Sequence, residues 1–464
     1  MTTEAPLFLA IDQGGHSTRV VVADDAGREV ASYAAPVATA RDGERVEQQA
    51  EELLESVLGG LRTVAGELGG RAADVIAAGL AVQRASVVCW DRETGAALSP
   101  ALSWMDRRGL PQLEAAGLDP GVVHERTGLY RSPHYGASKL AWCLQELPAV
   151  RRAADAGRLG LGPLSSYLVW QLSGGECYRV DATTAQRTLL WDRHARKWSP
   201  ELCAAFGIPV DALPRVVDCD AGFGELAFGD RAVPLTRCAG DQGLVPTAYG
   251  AADDATVCVN AGTGAFVLMP VSGERLSERG LLLTLAWSGR DGPRWVEEGT
   301  VNGAASALTR AHAGDLPVEP GDGHDGYFLN GVGGLGSPWW IPDYPSRFLG
   351  DGSDPEERER LVLESIVYLI MANVARLQTA PERLLLTGGL SQRVRLCQSL
   401  ADALDLPVDV PEDREATLRG TLAALSPTIA ATDPGFHRAE PDRGAGERWR
   451  ERQARWEALL LDGM

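Results

Sequence analysis

The pattern of apolar and polar positions opens on a strand, a turn and a strand. Residues 7–11 form an unbroken apolar run that ends on Asp12. A polar turn bearing Gly14 and Gly15 follows, and a second apolar run, 20–23, closes on Asp24 and Asp25. Aliphatic runs joined by a short glycine-bearing turn predict a β-hairpin. A third run over 29–35 predicts a strand that pairs with it. Over 46–68 the period lengthens: Leu53, Leu54, Val57, Leu58, Leu61, Val64 and Leu68 recur at helical spacing and predict one helix with a single buried stripe. A strand over 75–82 comes next, then VVCWD at 87–91, a turn over 92–95 and ALSWMD at 101–106. Strand, strand, strand, helix, strand predicts a mixed sheet with helical cover, an α/β fold.

Farther on, 138–147 predicts a helix with Ser138 as N-cap and Leu140, Cys143, Leu144 and Leu147 on one face. A second helix is predicted over 159–172. The stretch 200–224, rich in Pro, Gly and Asp, reads as loops leading to a domain boundary. The opening pattern then returns, since ATVCVNAGTGAFVLMP at 255–270 is again an apolar run, a glycine turn and an apolar run. A long helix over 356–378, a strand over 384–387, the Gly388-Gly389 break and an amphipathic stretch over 394–404 follow. A charged helix over 446–461, with Trp449, Trp456, Leu459 and Leu460 on its spacing, is expected to dock on the body. Two halves that open alike predict two duplicated α/β domains, 1–247 and 248–464, facing one another across a cleft.

Composition supports this division. A chain of 464 residues exceeds what a single core serves. With 45% hydrophobic and 23% charged residues it is an ordinary globular sequence. No basic-plus-apolar leader and no membrane-length apolar run is present, so a cytoplasmic protein is expected. The net charge of −19 argues against nucleic acid or an anionic membrane as partner. It leaves room for a small anionic ligand, because local dipoles and Mg²⁺ override the global field. Only two lysines occur, Lys139 and Lys197, against 42 arginines. The eight cysteines form no Cys-x-x-Cys pair and no zinc spacing, which predicts reduced, mostly buried thiols and no structural metal.

Four short stretches carry candidate chemistry. In Asp12-Gln13-Gly14-Gly15 the glycines let backbone approach an anion, and consecutive N–H groups of a turn can form a nest for it. A carboxylate at the strand end suits a Mg²⁺ ion bridging that anion. The same stretch also reads as an ordinary hairpin with a solvated turn. Gly262-Thr263-Gly264 is a second turn able to wrap phosphates. Gly388-Gly389, between strand and helix, offers bare backbone to a flat adenine ring. CAGDQG at 238–243 sets Asp241 in a small-residue loop. That residue is either a turn-forming Asp or the carboxylate that accepts a proton from an attacking hydroxyl, which phosphoryl transfer requires.

Taken in order, the motifs resemble the FGGY family of carbohydrate kinases, within the actin–hexokinase–Hsp70-like fold, and its glycerol-kinase branch in particular. The resemblance runs nearly end to end. It rests on LFLAIDQGGHSTR (7–19), QRASVVCWDRETGAALSPALSWMDRR (83–108), TGLYRSPHYGASKLAWCL (127–144), AGDQG (239–243), NAGTGAFVLM (260–269), EEGTVNGAAS (297–306), LGSPWW (335–340), LLLTGGLSQ (384–392) and EATLRG (415–420). It implies two ribonuclease-H-like domains around a cleft that binds ATP and Mg²⁺, and a small sugar or polyol as substrate. A homodimer is a further implication. Position by position, it implies that Asp12 and Asp241 serve Mg²⁺ and that Asp241 is the catalytic base. Gly14, Gly15 and Arg19 would line one side of the phosphates, and Gly262, Thr263 and Gly264 the other. Gly303, Gly388 and Gly389 would border the nucleotide. Gln83, Arg84, Trp104, His134, Asp241, Gln242 and Phe266 would contact the substrate.

The chain also departs from that pattern. Glycerol kinases follow the arginine equivalent to Arg84 with a glutamate, and here the residue is Ala85. They carry a tyrosine where this chain has His134. These changes predict an acceptor shaped differently from glycerol, because a buried hydroxyl without its partner costs about 1–3 kcal/mol. His134 is either a new hydroxyl contact or a structural histidine. Gly15 and His16 stand where threonines are usual, which predicts a backbone-led phosphate grip. Arg393 and Val394 replace asparagines beside Gly388-Gly389, and Arg393 either stacks on the base or is an exposed helix arginine. A kinase-like sugar sensor with weakened turnover is the alternative these departures raise. An actin- or Hsp70-like ATPase is another, and the 83–108 block argues against it.

Overall fold

The computed structural model describes residues 5–250, 253–314, 316–319, 326–350, 354–442 and 444–462. Two compact units emerge: residues 1–248 with 284–294 and 417–432, and residues 249–283 with 295–416 and 433–464.

In the first unit the predicted hairpin forms. Leu7–Gln13 and Ser17–Ala23 pair antiparallel, and Glu29–Pro36 adds to the second of them. Val75–Val82 lies parallel to the first strand, Arg231–Gly240 parallel to that, and Glu225–Phe228 closes the edge antiparallel. The inner strands read as continuous apolar runs because both faces of the sheet are covered. On one face the helix Ala50–Leu68 sets Leu53, Val57, Leu61 and Val64 against Leu9, Ile11, Val20 and Val22. Gly60 permits that approach, since a Cβ there would lie 2.6 Å from Val20 Cγ2. On the other face Phe8, Ala10, Val21 and Ala23 meet Leu418, Leu422 and Ile429, contributed by the late segment 417–432. A second, antiparallel sheet joins Ala40–Asp42, Arg45–Gln48, Ala101–Leu102, Val87–Asp91 and Leu159–Pro163.

The second unit repeats the first sheet. Gly292–Val301, Ala265–Val271 and Thr256–Ala261 run antiparallel in that order. Arg383–Thr387 and Val408–Pro411 then add in parallel, and Phe436–Ala439 closes the edge antiparallel. The duplication read from the two glycine turns is therefore a duplication of strand order. The helix Pro355–Val374 is capped by Asp354, which accepts from Glu357 N at 3.2 Å, and buries Leu361, Val362, Ile366, Tyr368 and Ile370. The helix Gly446–Leu461 docks on this unit through fully buried Trp456 and Leu460, and Trp456 Nε1 donates to Phe328 O at 2.9 Å.

Several expected elements differ. Residues 46–48 belong to the strand Arg45–Gln48, and the helix begins only at Ala50. The stretch 159–172 is not one helix: Leu159–Pro163 is a strand and Leu164–Leu172 a helix. Gly160 decides this, because it packs against Trp90 of the neighbouring strand so closely that a Cβ would lie 2.6 Å from the indole. Ser138 is not an N-cap. The helix spans Gly136–Glu146, and its first N–H groups donate to the Arg187 and Thr188 carbonyls. Within 200–224 lie the helix Pro200–Ala205 and the strand Arg215–Val217, all inside the first unit. The long helix stops at Val374, short of 378. All eight cysteines are buried and free. Among the described residues no helix is long and apolar enough to cross a membrane.

Candidate active site

Three parallel strands of the first unit end together. Gln13 is in register with Val82, and Val82 with Gly240. This brings Asp12-Gln13, Gln83-Arg84 and Asp241 to one edge, the carboxyl end of the sheet, where α/β folds bind ligands. The turn after Gln13 is closed by Gly14 N donating to Ser17 O at 3.0 Å. Two buried amides hold its carbonyls: Gln48 Nε2 donates to Gly15 O at 3.0 Å and Gln83 Nε2 to Gly14 O at 3.3 Å. Gln83 Nε2 also donates to Gln48 Oε1 at 2.9 Å, and Gln83 Oε1 accepts from Ser86 Oγ at 3.0 Å. The Gln83 amide is thus spent on the turn. The turn's peptide planes are fixed before any ligand arrives. Arg19 lies directly across the hairpin from Asp12.

Gly15 has a steric reason. A Cβ there would lie 3.3 Å from Trp104 Nε1, so a larger residue would require the indole to shift slightly. Trp104 is itself held through its backbone N–H, which donates to Ser86 Oγ at 3.0 Å.

Asp241 opens a short 3₁₀ turn, Asp241–Leu244, at the end of its strand. Its Oδ1 accepts from Gln242 N at 2.8 Å and its Oδ2 from Gln242 Nε2 at 3.1 Å. Arg84 Nε lies 3.7 Å from Asp241 Oδ1. Gly240 makes this proximity possible, since a Cβ there would meet Arg84 Cγ at 2.6 Å. Behind it, Gly240 N donates to Thr183 Oγ1 at 2.8 Å, and Thr183 in turn donates to buried Asp181. Burial pushes the Asp181 carboxyl up, against the pull of Thr183 and Thr184. His134 is half-buried, with Nδ1 3.0 Å from Ser132 Oγ. Burial first, then Lys139 and Arg107, push its pKa down to about 3, so the imidazole is a neutral hydrogen-bonding group.

The remaining predicted residues lie on the second unit. The turn Gly262-Thr263-Gly264 is seated on the start of the helix Ala305–Ala313: Ala305 N donates to Gly262 O at 3.0 Å, and Ala304 N and Ser306 N to Thr263 O at 3.0 and 3.2 Å. Gly264 packs on backbone, its Cβ direction 2.7 Å from Val301 O. Gly303 is pinned by Asn330, which donates to its carbonyl at 2.8 Å. Gly388 has φ +84° and faces Ala261 O, while the Cβ direction of its exposed neighbour Gly389 is open. Phe266 is half-buried on Ala265–Val271, opposite Asn260 and Thr300. Arg393 is paired with Glu359, which also faces His312 Nε2 at 3.2 Å.

Sequence reasoning passed over Gln48, Thr183 and Asp181. A signal for Gln48 existed, for it is a polar side chain at the inward position of an alternating strand, with burial only at Val46 and Gln48. Asp181 had one too, as an N-cap residue followed by two threonines.

Comparison with known proteins bears on all of this. Residues 7–250 match the FGGY family of carbohydrate kinases, N-terminal domain, and residues 257–426 its C-terminal domain. Glycerol kinase of Methylobacterium nodulans is 34% identical over 473 residues, covering 96% of this chain and 92% of the relative. Among solved structures, Plasmodium falciparum glycerol kinase with ADP superposes with a TM-score of 0.83 at 22% identity, over 99% of this chain and 98% of that one. Gluconate kinase from Lactobacillus acidophilus does so with a TM-score of 0.84 at 16% identity, again over 99% and 98%. Such identities speak for the fold alone, an actin/hexokinase-type pair of α/β domains. The matched segments take in both glycine turns and the strand ends around Asp241, and the chain accordingly belongs to the FGGY family of carbohydrate kinases, as an ATP-dependent phosphotransferase for a small sugar or polyol.

Proposed function

We propose that this kinase phosphorylates a hydroxyl of a polyol or ketose larger than glycerol, with Asp241 as general base. The observation that carries the reading is the convergence of Asp12, Arg84 and Asp241 on one sheet edge, with Ala85 directly beside Arg84. Asp241 takes the proton of the acceptor hydroxyl, the oxygen so freed attacks the γ-phosphorus in line, and the bond from that phosphorus to the β,γ-bridging oxygen breaks, so that ADP leaves with the bridging oxygen. Arg84 and neutral His134 orient the acceptor's other hydroxyls, Trp104 offers it an apolar wall, and Gln242 holds the Asp241 carboxylate. Gly262, Thr263 and Gly264 are the phosphate-binding turn of the second unit, and Gly14, Gly15 and Arg19 that of the first. Gly303, Gly388 and Gly389 border the nucleoside.

Asp12 and Asp241 offer the hard carboxylate oxygens that Mg²⁺ takes. Among the described residues no group of three His, Cys, Asp or Glu side chains could hold a metal alone. That donor set fits an ion that arrives with phosphates and water rather than one caged by protein. Mg²⁺, when bound, supplies neutralisation of the phosphate charge.

A second reading is glycerol itself, favoured by the names of the relatives. ADP release measured on glycerol, four- to six-carbon polyols, ketoses and sugar acids separates the two. The best acceptor is expected to exceed glycerol in kcat/KM by at least about tenfold, the worth of one buried hydroxyl contact. Ala85→Glu is expected to raise kcat/KM for glycerol by a similar factor. Glycerol as the best acceptor would overturn the substrate assignment. Saturable sugar binding without turnover on any compound would make the protein a sensor.

A further inference from the structure

Lys139, one of only two lysines in the chain, is fully buried. Its Nζ donates to three backbone carbonyls, Ala85 O at 2.7 Å, Ser103 O at 2.8 Å and His134 O at 2.8 Å. Those carbonyls come from three separate loops, and each lies at or beside a residue of the proposed acceptor site: Ala85 follows Arg84, Ser103 precedes Trp104, and His134 is the third. We infer that Lys139 is a positioning residue which, through these three hydrogen bonds, holds the loops carrying Arg84, Trp104 and His134 in the one arrangement that receives the acceptor.

Stoichiometry supports this. An ammonium has three N–H donors and no acceptor, and it meets three carbonyls, so nothing is left over to touch substrate. Lys139 therefore acts through its neighbours. The anchor itself is fixed, because it sits in the first turn of Gly136–Glu146, where Gly136 N and Ala137 N donate to Arg187 O and Thr188 O at 3.1 and 2.7 Å. One of the loops needs holding, since Ala85 has φ +63°, a left-handed conformation unfavourable for any residue but glycine. Burial lowers the Lys139 pKa to about 7; buried Asp106 opposes that shift, Arg108, paired with Asp106 at 2.7 Å, adds to it, and the three carbonyl acceptors favour the ammonium. A lysine that only filled the core would contribute to stability alone. A tie to three acceptor loops and to no nucleotide residue predicts a selective defect.

The inference rests on the acceptor site proposed above, and two variants test it. Lys139→Met keeps the chain's length and leaves all three carbonyls without a donor; Lys139→Gln keeps two donors and is the milder change. The acceptor KM is expected to rise about thirtyfold in Lys139→Met and about threefold in Lys139→Gln, as graded loss of hydrogen bonds requires. The KM for ATP is expected to stay within twofold of the parent in both. Should Lys139→Met fail to fold, Lys139→Gln alone decides. Backbone hydrogen exchange, measured without any substrate, is expected to quicken at 84–86, 103–105 and 134–136 and to stay unchanged over 140–146. Equal shifts in both KM values, or neither KM shifting while exchange in the three loops is unchanged, would overturn the role of Lys139. If the parent protein turns over no acceptor, the substrate reading fails, and the exchange result alone then decides the role of Lys139.

Discussion

Asp241→Asn is expected to lower kcat by about 10²–10⁴-fold, the usual contribution of a positioned general base. Asparagine preserves the shape of the side chain and can still accept the Gln242 backbone N–H, 2.8 Å away in the parent. It cannot take a proton. Asp241 keeps 20% of its side chain exposed, so the exchange opens no cavity and buries no new polar group, and the thermal midpoint should shift by only a few degrees. Affinity for acceptor and nucleotide should change far less than kcat, since Arg84, His134 and the glycine turns are untouched. Steady-state kinetics with calorimetric binding would check this. A variant retaining more than about a tenth of the parent kcat would remove Asp241 from the role of base.

Gly388→Ala and Gly389→Ala should separate stability from nucleotide binding at adjacent positions. At Gly388 φ is +84°, and a Cβ would lie 2.5 Å from Ala261 O and 2.6 Å from Asn260 Oδ1. Backbone cannot retreat as a flexible side chain would. Left-handed strain and the clash together should cost about 3 kcal/mol, lowering the unfolding midpoint by roughly 6–12 °C for a unit of this size. At Gly389 no atom lies within 4 Å of the Cβ direction, so alanine should leave stability unchanged. If the nucleoside lies against this backbone, that same methyl group should weaken ATP binding severalfold. Scanning calorimetry and nucleotide titration of both variants give the answer, and an unaltered ATP affinity in Gly389→Ala would move the nucleoside elsewhere.

How far the sequence carried depends on which residues are asked. Leu7–Gln13 and Val75–Val82 were legible because unbroken apolar runs bounded by acids and turns have few other readings. The stretch 159–172 was misread because a five-residue strand running straight into a helix has no polar break between them. What makes it a strand is Trp90, a partner distant in sequence. Asp12, Asp241 and the glycine turns could be picked out by residue type. The common placement of Asp12, Arg84 and Asp241 at one sheet edge needed the register of three strands. Gln48, Thr183 and Asp181 support the site through contacts between residues far apart in the chain, which local pattern does not encode. The segment 417–432 holds the end of the helix Ala416–Leu425 and the short helix Pro427–Ala430, and nothing in its sequence says which sheet it covers.

That segment has a consequence for how the protein is made. The ribosome releases Phe8, Ala10, Val21 and Ala23 about 400 residues before Leu418, Leu422 and Ile429, which cover them. At about 5–20 residues per second, an apolar sheet face waits roughly 20–80 s for its cover. Nascent chains therefore pass through a stage at which the first unit is sticky, and chaperone capture has its longest opportunity there. Any chain cut short before Thr417 never leaves it.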